Sequence, residues 1–285
     1  MNRRLAWLNH LIRRRSGTIF HQTVRMYRFH RKKFEDILSD IVGRLERYGA
    51  HFTFPTVASV AVPYTNLLKS IILSTKNEIA SHGYTHTKYL YLSPKQERLE
   101  IKRSLVTFQR IGIKVNGYRA PFNSYTTSTP QILEDLGFIW DIGIGYQEKY
   151  CNQHQFFHIM LKNVQSSFVC VPLSRWSDDL LIDRYRADVS LIVKLLKKEC
   201  EAAKKEKGIV MFDLHPIRLG QDKYLDILDG ILTYGEKTNG WFPTVTEAVL
   251  EWKKGHIWPF DFEYCCLLTG DIDNFTFWDY LRRLL

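Results

Sequence analysis

Glu78-Ile79-Ala80-Ser81-His82-Gly83-Tyr84-Thr85-His86 decides how this chain folds and where its chemistry lies. Glu78 to Ser81 has the apolar centre of a short strand, and the strand runs directly into two histidines four residues apart. On an extended chain residues at that spacing lie about 13 Å apart, too far to share an ion, whereas one helical turn brings them within about 6 Å. Gly83 lets the chain turn sharply as it leaves the strand. Two imidazoles then face one cavity and can grip one metal. A pair of histidines also arises by chance, and its position after an apolar strand, where α/β proteins place ligands, is what raises the metal reading.

Outward from this stretch, helical and strand-like segments alternate. Phe34 to Tyr48 carries Phe34, Ile37, Leu38, Ile41, Val42 and Leu45 at helical spacing, with Gly49 as a stop, and His51 to Phe54 follows as a strand. Ser93 to Ile111 predicts a helix ended by Gly112, Val115 to Tyr118 a strand, Thr129 to Leu136 a helix with Pro130 in its first turn, and Phe138 to Ile142 a strand. Phe168 to Pro172 and Ile209 to Leu214 predict strands, and Ala187 to Lys205 and Lys223 to Tyr234 helices. Such alternation implies a parallel sheet or barrel, with functional groups where strands run out into loops.

Three further groups stand at such strand ends. Arg119-Ala120-Pro121-Phe122 follows Tyr118, and Pro121 holds the preceding residue extended, so that Arg119 can orient a carboxylate. Asp141 ends one strand, and His215, in Leu214-His215-Pro216, ends another, a position suited to a general acid. Taken singly, Arg119 could cap a helix or pair with Glu134, and His215 could be a hydrogen-bonded core histidine.

The 285 residues are 45% hydrophobic and 25% charged, enough to bury a sizeable core and too regular for a disordered or collagen-like chain. With no repeat, low-complexity tract or linker, a single domain over 1–285 is expected: a basic helix over 1–16, a barrel core over 17–252 and a terminal strand and helix over 253–285. Lys and Arg outnumber Asp and Glu by 40 to 30, which favours anionic partners. The basic knots at 13–15, 31–33 and 204–207 do not interleave with aromatics as in an RNA-binding strand, so no nucleic-acid role is assigned. Five cysteines without a C-x-x-C spacing argue against a disulfide framework or zinc ribbon and for a reduced, cytoplasmic setting. Met1 to Ser16 lacks the apolar run of a signal peptide or span; Leu5, Leu8, Leu11 and Ile12 would let it lie on its own domain or, as a peripheral contact, on the inner membrane.

Together these segments resemble the NodB-like polysaccharide deacetylases, metal-dependent carbohydrate esterases. Tyr48-Gly49-Ala50-His51-Phe52-Thr53-Phe54 is similar to the family's post-helix strand, His82-Gly83-Tyr84-Thr85-His86 to its paired-histidine motif, Arg119-Ala120-Pro121-Phe122 to its Arg-x-Pro motif, Gly137-Phe138-Ile139-Trp140-Asp141 to the strand of its fourth-motif Asp, and Leu214-His215 to its Leu-His motif. The resemblance implies an α/β fold, a distorted (β/α) barrel of about seven strands. It also implies a divalent metal, usually zinc, on His82 and His86, with His215 as general acid and Arg119 aligning the base.

The family's first motif, a carboxylate pair on the opening strand, is missing. The corresponding strand is expected over Gly17 to Val24, where Phe20 is followed by His21 and Gln22. Near the other end, Phe262 to Leu268 reads as a buried strand leading into Thr269-Gly270-Asp271-Ile272-Asp273, and Phe275 to Leu285 as a helix. A surface tail has no need of so apolar a strand. The chain is therefore expected to be effectively circularly permuted or terminally extended, delivering Asp273 to the metal and Asp271 as the base; a turn in which Asp271 merely caps the last helix is the alternative.

The function expected is removal of an N-acetyl group from an amino sugar, nucleotide-linked or lipid-linked, in assembly of a surface polysaccharide such as O-antigen. Phe122, Trp140 and Asp141 are expected to line the substrate. The competing class is a non-catalytic glycan-binding or scaffolding member, and a hydrolase of a small cyclic amide is a further one.

Overall fold

The computed structural model describes residues 18–29, 31–143, 153–255 and 258–284. The expected basic helix over 1–16 lies outside the described residues. Helix α1 is Thr18–Phe29 and α2 is Phe34–Arg47. The six apolar residues of the α2 stripe are all buried, while Glu35 and Asp36 in its first turn and Arg44 and Arg47 in its last complement the helix dipole. Strand β1 (Thr53–Thr56) follows, then β2 (Glu78–Ser81), α3 (Pro94–Arg110), β3 (Gly117–Tyr118), α4 (Thr129–Asp135), β4 (Trp140–Asp141) and β5 (Val169–Cys170). The second half adds α5 (Val189–Lys205), β6 (Ile209–Asp213), α6 (Leu225–Lys237), β7 (Gly240–Trp241), α7 (Val245–Gly255), β8 (Tyr264–Thr269) and α8 (Phe277–Leu284).

Seven strands pair in the order β5-β4-β3-β2-β1-β8-β6, with β7 alongside β8, and every pair in this sheet is parallel. The sheet curls into an open (β/α) barrel, with helices outside it. All residues of β1, β2, β6 and β8 are buried, the pattern of strands covered on both faces. Three strands shrink to two residues each, at Gly117–Tyr118, Trp140–Asp141 and Val169–Cys170, because only that part of each expected run meets its neighbour's hydrogen bonds.

The last strand in sequence is central in space. Cys265 to Thr269 of β8 run beside Ile209 to Asp213 of β6 in register, and Thr269 meets Thr53 of β1. Beyond β8 the chain stays bound to β1, with the Ile272 amide donating to Pro55 O and the Val57 amide donating to Ile272 O. Gly270 makes this passage possible: a Cβ there would come within 2.1 Å of Leu214 O. Gly270→Ala must push the Asp271 loop from the strand carrying His215, and a thermal melt is expected to show destabilisation of about 1–3 kcal/mol.

Two expectations are corrected. The barrel strand expected over Gly17 to Val24 is, from Thr18 where the described residues begin, a helix running through Phe29, and Tyr27 packs edge-on against Phe277 of α8 at 5.5 Å. Its residues lack period-two alternation, and the place beside β1 is filled by β8. Trp140 offers no platform for a sugar. It is fully buried, its ring covers Gly117, where a Cβ would lie 1.8 Å from it, and its indole N–H donates to Thr246 Oγ1, itself joined to Glu78 at the start of β2. That places Trp140 in the core toward the end of the barrel opposite the histidines.

Candidate metal and acid–base site

At the C-terminal end of β2 the pair His82 and His86 converges, their ring centroids 5.0 Å apart. The turn is not the helical one expected. Gly83 and His86 both take left-handed conformations, at φ 73° and 54°, and fold the segment into a tight loop. Gly83 is required sterically too, since a Cβ would lie 2.8 Å from the Tyr89 hydroxyl and 3.1 Å from Pro121 Cγ. His86, Phe122 and Asn123 are non-glycine residues in the left-handed region, and their clustering at one cavity is strain held by the surrounding contacts.

His82 is buried, and its Nδ1–H donates to Arg119 O at 2.9 Å. That bond leaves the Nε2 lone pair facing the cavity, and Nε2 has no hydrogen-bond partner among the described residues. Burial lowers the pKa of His82 to about 4, so the ring is neutral at pH 7, the form a metal needs. Asp273 Oδ1 stands 3.1 Å from His86 Nε2 and 3.5 Å from His82 Nε2. Ligands about 2.0–2.1 Å from a tetrahedral zinc are about 3.3 Å from one another, so Asp273 has the spacing of a fellow ligand to each imidazole, and the three ligand atoms all lie within 4.8 Å of one another.

Asp271 occupies the next position. Its Oδ2 is 3.4 Å from His82 Nε2 and 3.8 Å from His215 Nε2, and its Oδ1 is 3.2 Å from Arg119 Nη1. Burial pushes its carboxyl up, Arg119 opposes this, Asp213 reinforces it, and the pKa comes to about 7. Arg119, itself buried, spends two donors on Asp213 at 2.8 and 2.7 Å and turns Nη1 toward Asp271 as well. Burial works against the charge of Arg119, but Asp213 and Asp271 outweigh it and raise its pKa, so it is a permanent cation. It pairs with Asp213 rather than with Glu134, whose carboxylate instead accepts from the Ser167 amide.

His215 donates through Nδ1–H to Asp178 at 2.7 Å and lies 3.6 Å from Asp213. Burial alone would lower its pKa; Asp213 and then Asp178 overcome that and raise it to about 10. His215 is therefore protonated at neutral pH with Nε2 turned toward Asp271. Behind it the buried Arg218 binds Asp183 at 3.0 and 2.9 Å and stands 3.8 Å from Asp178. Around the cavity the carboxylates of Asp178, Asp183, Asp213, Asp271 and Asp273 are interleaved with Arg28, Arg119, Arg218 and His215, a carboxylate-rich setting that suits a cation.

Asp178 and Asp213 escape the sequence reading. Asp213 had a usable signal, a carboxylate closing the apolar run Ile209-Val210-Met211-Phe212. Asp178 opens a short helical turn, Asp179–Arg184, and only the return of the chain to the end of β6, by the bridge of Ser177 with Asp213, brings it to His215. Asp141, expected to line the substrate, is turned away from the cavity. In register Tyr118 opposes Asp141, so both point to the face opposite Arg119, and Asp141 lies fully buried beside Tyr125 and Cys170. Phe122, by contrast, is partly exposed, its ring 4.3 Å from that of His86 at the mouth of the cavity.

Residues 29–139 match the family model described as polysaccharide deacetylase. Among solved structures, the chain is similar to a candidate polysaccharide deacetylase from Mycobacterium smegmatis, at 19% identity, covering 90% of this chain and 87% of that one with a TM-score of 0.69. It is similar also to the PuuE allantoinase, at 15% identity, 82% and 76% coverage and a TM-score of 0.68. A Pseudomonas aeruginosa PAO1 protein described as a polysaccharide deacetylase gives 15% identity, 82% and 77% coverage and the same TM-score of 0.68. No curated protein sequence matches the chain.

Proposed function

Because this chain is of the polysaccharide deacetylase family, in the match over residues 29–139 and in its fold, we propose that it is a metal-dependent hydrolase that removes the N-acetyl group of an amino sugar. One observation carries the proposal: His82, His86 and Asp273 meet in one cavity with Asp271 on Arg119 and His215 on Asp178. The donor set is right for zinc, two imidazoles and a carboxylate, with the facing lone pair of His82 Nε2 unsatisfied. A divalent cation held there supplies Lewis acidity toward the acetyl carbonyl and toward water.

The protein's own groups then divide the proton work. Asp271 accepts the proton of the attacking water, and Arg119 orients it while its bidentate grip on Asp213 prevents it from rotating away. His215 protonates the departing amine, held in place by its bond to Asp178. Phe122 at the mouth presents an apolar face to the sugar. The substrate is an acetylated amino sugar on a nucleotide or lipid carrier, used inside the cell in assembly of a surface glycan such as O-antigen. Metal analysis of the purified protein with acetate release from a panel of such conjugates tests the proposal. A divalent ion near one per chain and release from an amide substrate are expected; a metal-free chain inert on every member would overturn it.

The pH profile should be bell-shaped. Activity rises as Asp271 loses its proton, at or below 7 because a nearby cation pulls its pKa down, and falls toward 10 as His215 loses its own. Asp178→Asn removes a negative charge that raises His215, so the falling limb should move to lower pH while the rising limb stays. A falling limb unmoved by this substitution would take His215 out of the acid role.

A further inference from the structure

The net charge of +10 arises entirely in the first 34 residues, which hold ten Lys and Arg and no Asp or Glu, whereas residues 35–285 hold 30 of each. Helix α1 lies in this stretch and packs beside α8 through Tyr27 against Phe277. Beside that contact the two helices expose large apolar side chains, Val24 and Trp278 at 67%, and Tyr27 itself keeps 55% of its surface exposed. Arginines rim them, with Arg31 over the Tyr27 ring, Arg28 on the same helix, and Arg282 one turn beyond Trp278, its side chain 80% exposed. No helix among the described residues is long and apolar enough to cross a membrane.

We propose that the α1–α8 face docks on an anionic lipid surface. Exposed Tyr and Trp bury apolar rings at the headgroup level, and arginines around them pair with lipid phosphates, each cationic side chain adding to the attraction. Nucleic acid would satisfy the charge but leaves Val24 and the apolar ring of Trp278 without purpose. The face adjoins the candidate site on two sides. Asp273 precedes α8 by four residues, with Phe275 between them wedged against Phe34 and Tyr64. Arg28 reaches Asp183 at 3.5 Å, the partner of Arg218 behind His215. A chain seated on this face holds its cavity close to the bilayer, which selects the lipid-linked form of the substrate; that last step alone rests on the deacetylase reading.

The test is flotation of the full chain with vesicles of phosphatidylcholine alone or with about 30% phosphatidylglycerol. At least about tenfold more protein is expected on the anionic vesicles, falling as salt rises to about 0.5 M. Val24→Ser/Trp278→Ala and, separately, Arg31→Glu/Arg282→Glu should each cut binding about fivefold or more with the melting temperature unchanged, since all four side chains are exposed. Absent binding, equal binding to both vesicles, or indifference to both double variants would overturn the proposal. So would a dimer lost on Trp278→Ala, which assigns the face to a second copy, or a DNA duplex that displaces the vesicles. Acetate release from soluble conjugates is scored separately, so failure of the docking and failure of the deacetylase reading remain distinct.

Discussion

Asp273→Asn is expected to weaken metal retention by about a hundredfold or more, whereas Asp271→Asn keeps the ion and lowers turnover about a thousandfold or more. The difference follows from position. Asp273 Oδ1 is within 3.5 Å of both imidazole nitrogens, so losing its charge removes one corner of the ligand set. Asp271 touches His82 at 3.4 Å but leans on Arg119 and faces His215, and an amide there can accept no proton from water. His82→Ala and His86→Ala should resemble Asp273→Asn. Metal content by elemental analysis and single-turnover acetate release separate the two classes; the reverse pair of phenotypes would exchange the roles of the carboxylates.

Truncation after Lys254 is expected to have the larger structural effect, loss of the folded state. It deletes β8, whose Tyr264, Cys265, Cys266, Leu267 and Leu268 are each 0% exposed, and leaves β1 and β6 as facing edges with no partner between them. Five such side chains at about 1.5–3 kcal/mol each equal the stability of a whole domain. Exposed strand edges and the bared core should then drive aggregation. Circular dichroism and sedimentation of the truncated chain provide the check. A soluble chain that melts cooperatively and binds zinc would show that the barrel closes without β8 and that Asp271 and Asp273 are dispensable.

Helix α2, strands β2 and β6 and the apolar run of β8 were legible from the sequence, because burial on one stripe or on both faces imposes local periodicities. So was the bend at Gly83, since a short chain carrying two histidines into one cavity needs a conformation that glycine tolerates. The carboxylate pair was legible too, from the mismatch between an apolar strand and a terminal position. The strand expected over Gly17 to Val24 follows from the order of the family's motifs rather than from a period-two pattern, and the chain there is the helix Thr18–Phe29, packed against α8.

What the amino-acid order by itself determined is which residues stand at strand ends: His82, Arg119, Asp213, His215, Asp271 and Asp273 are placed by the apolar runs before them. Which of these face one another was decided by the tertiary structure alone. The insertion of β8 between β1 and β6 sets Asp271 against Arg119, the register of β3 with β4 turns Asp141 away, and the bridge of Ser177 with Asp213 brings Asp178 to His215. Local pattern encodes burial, residue by residue. Electrostatic partnership needs groups far apart in sequence to be brought within a few ångströms, and only the closed sheet does that.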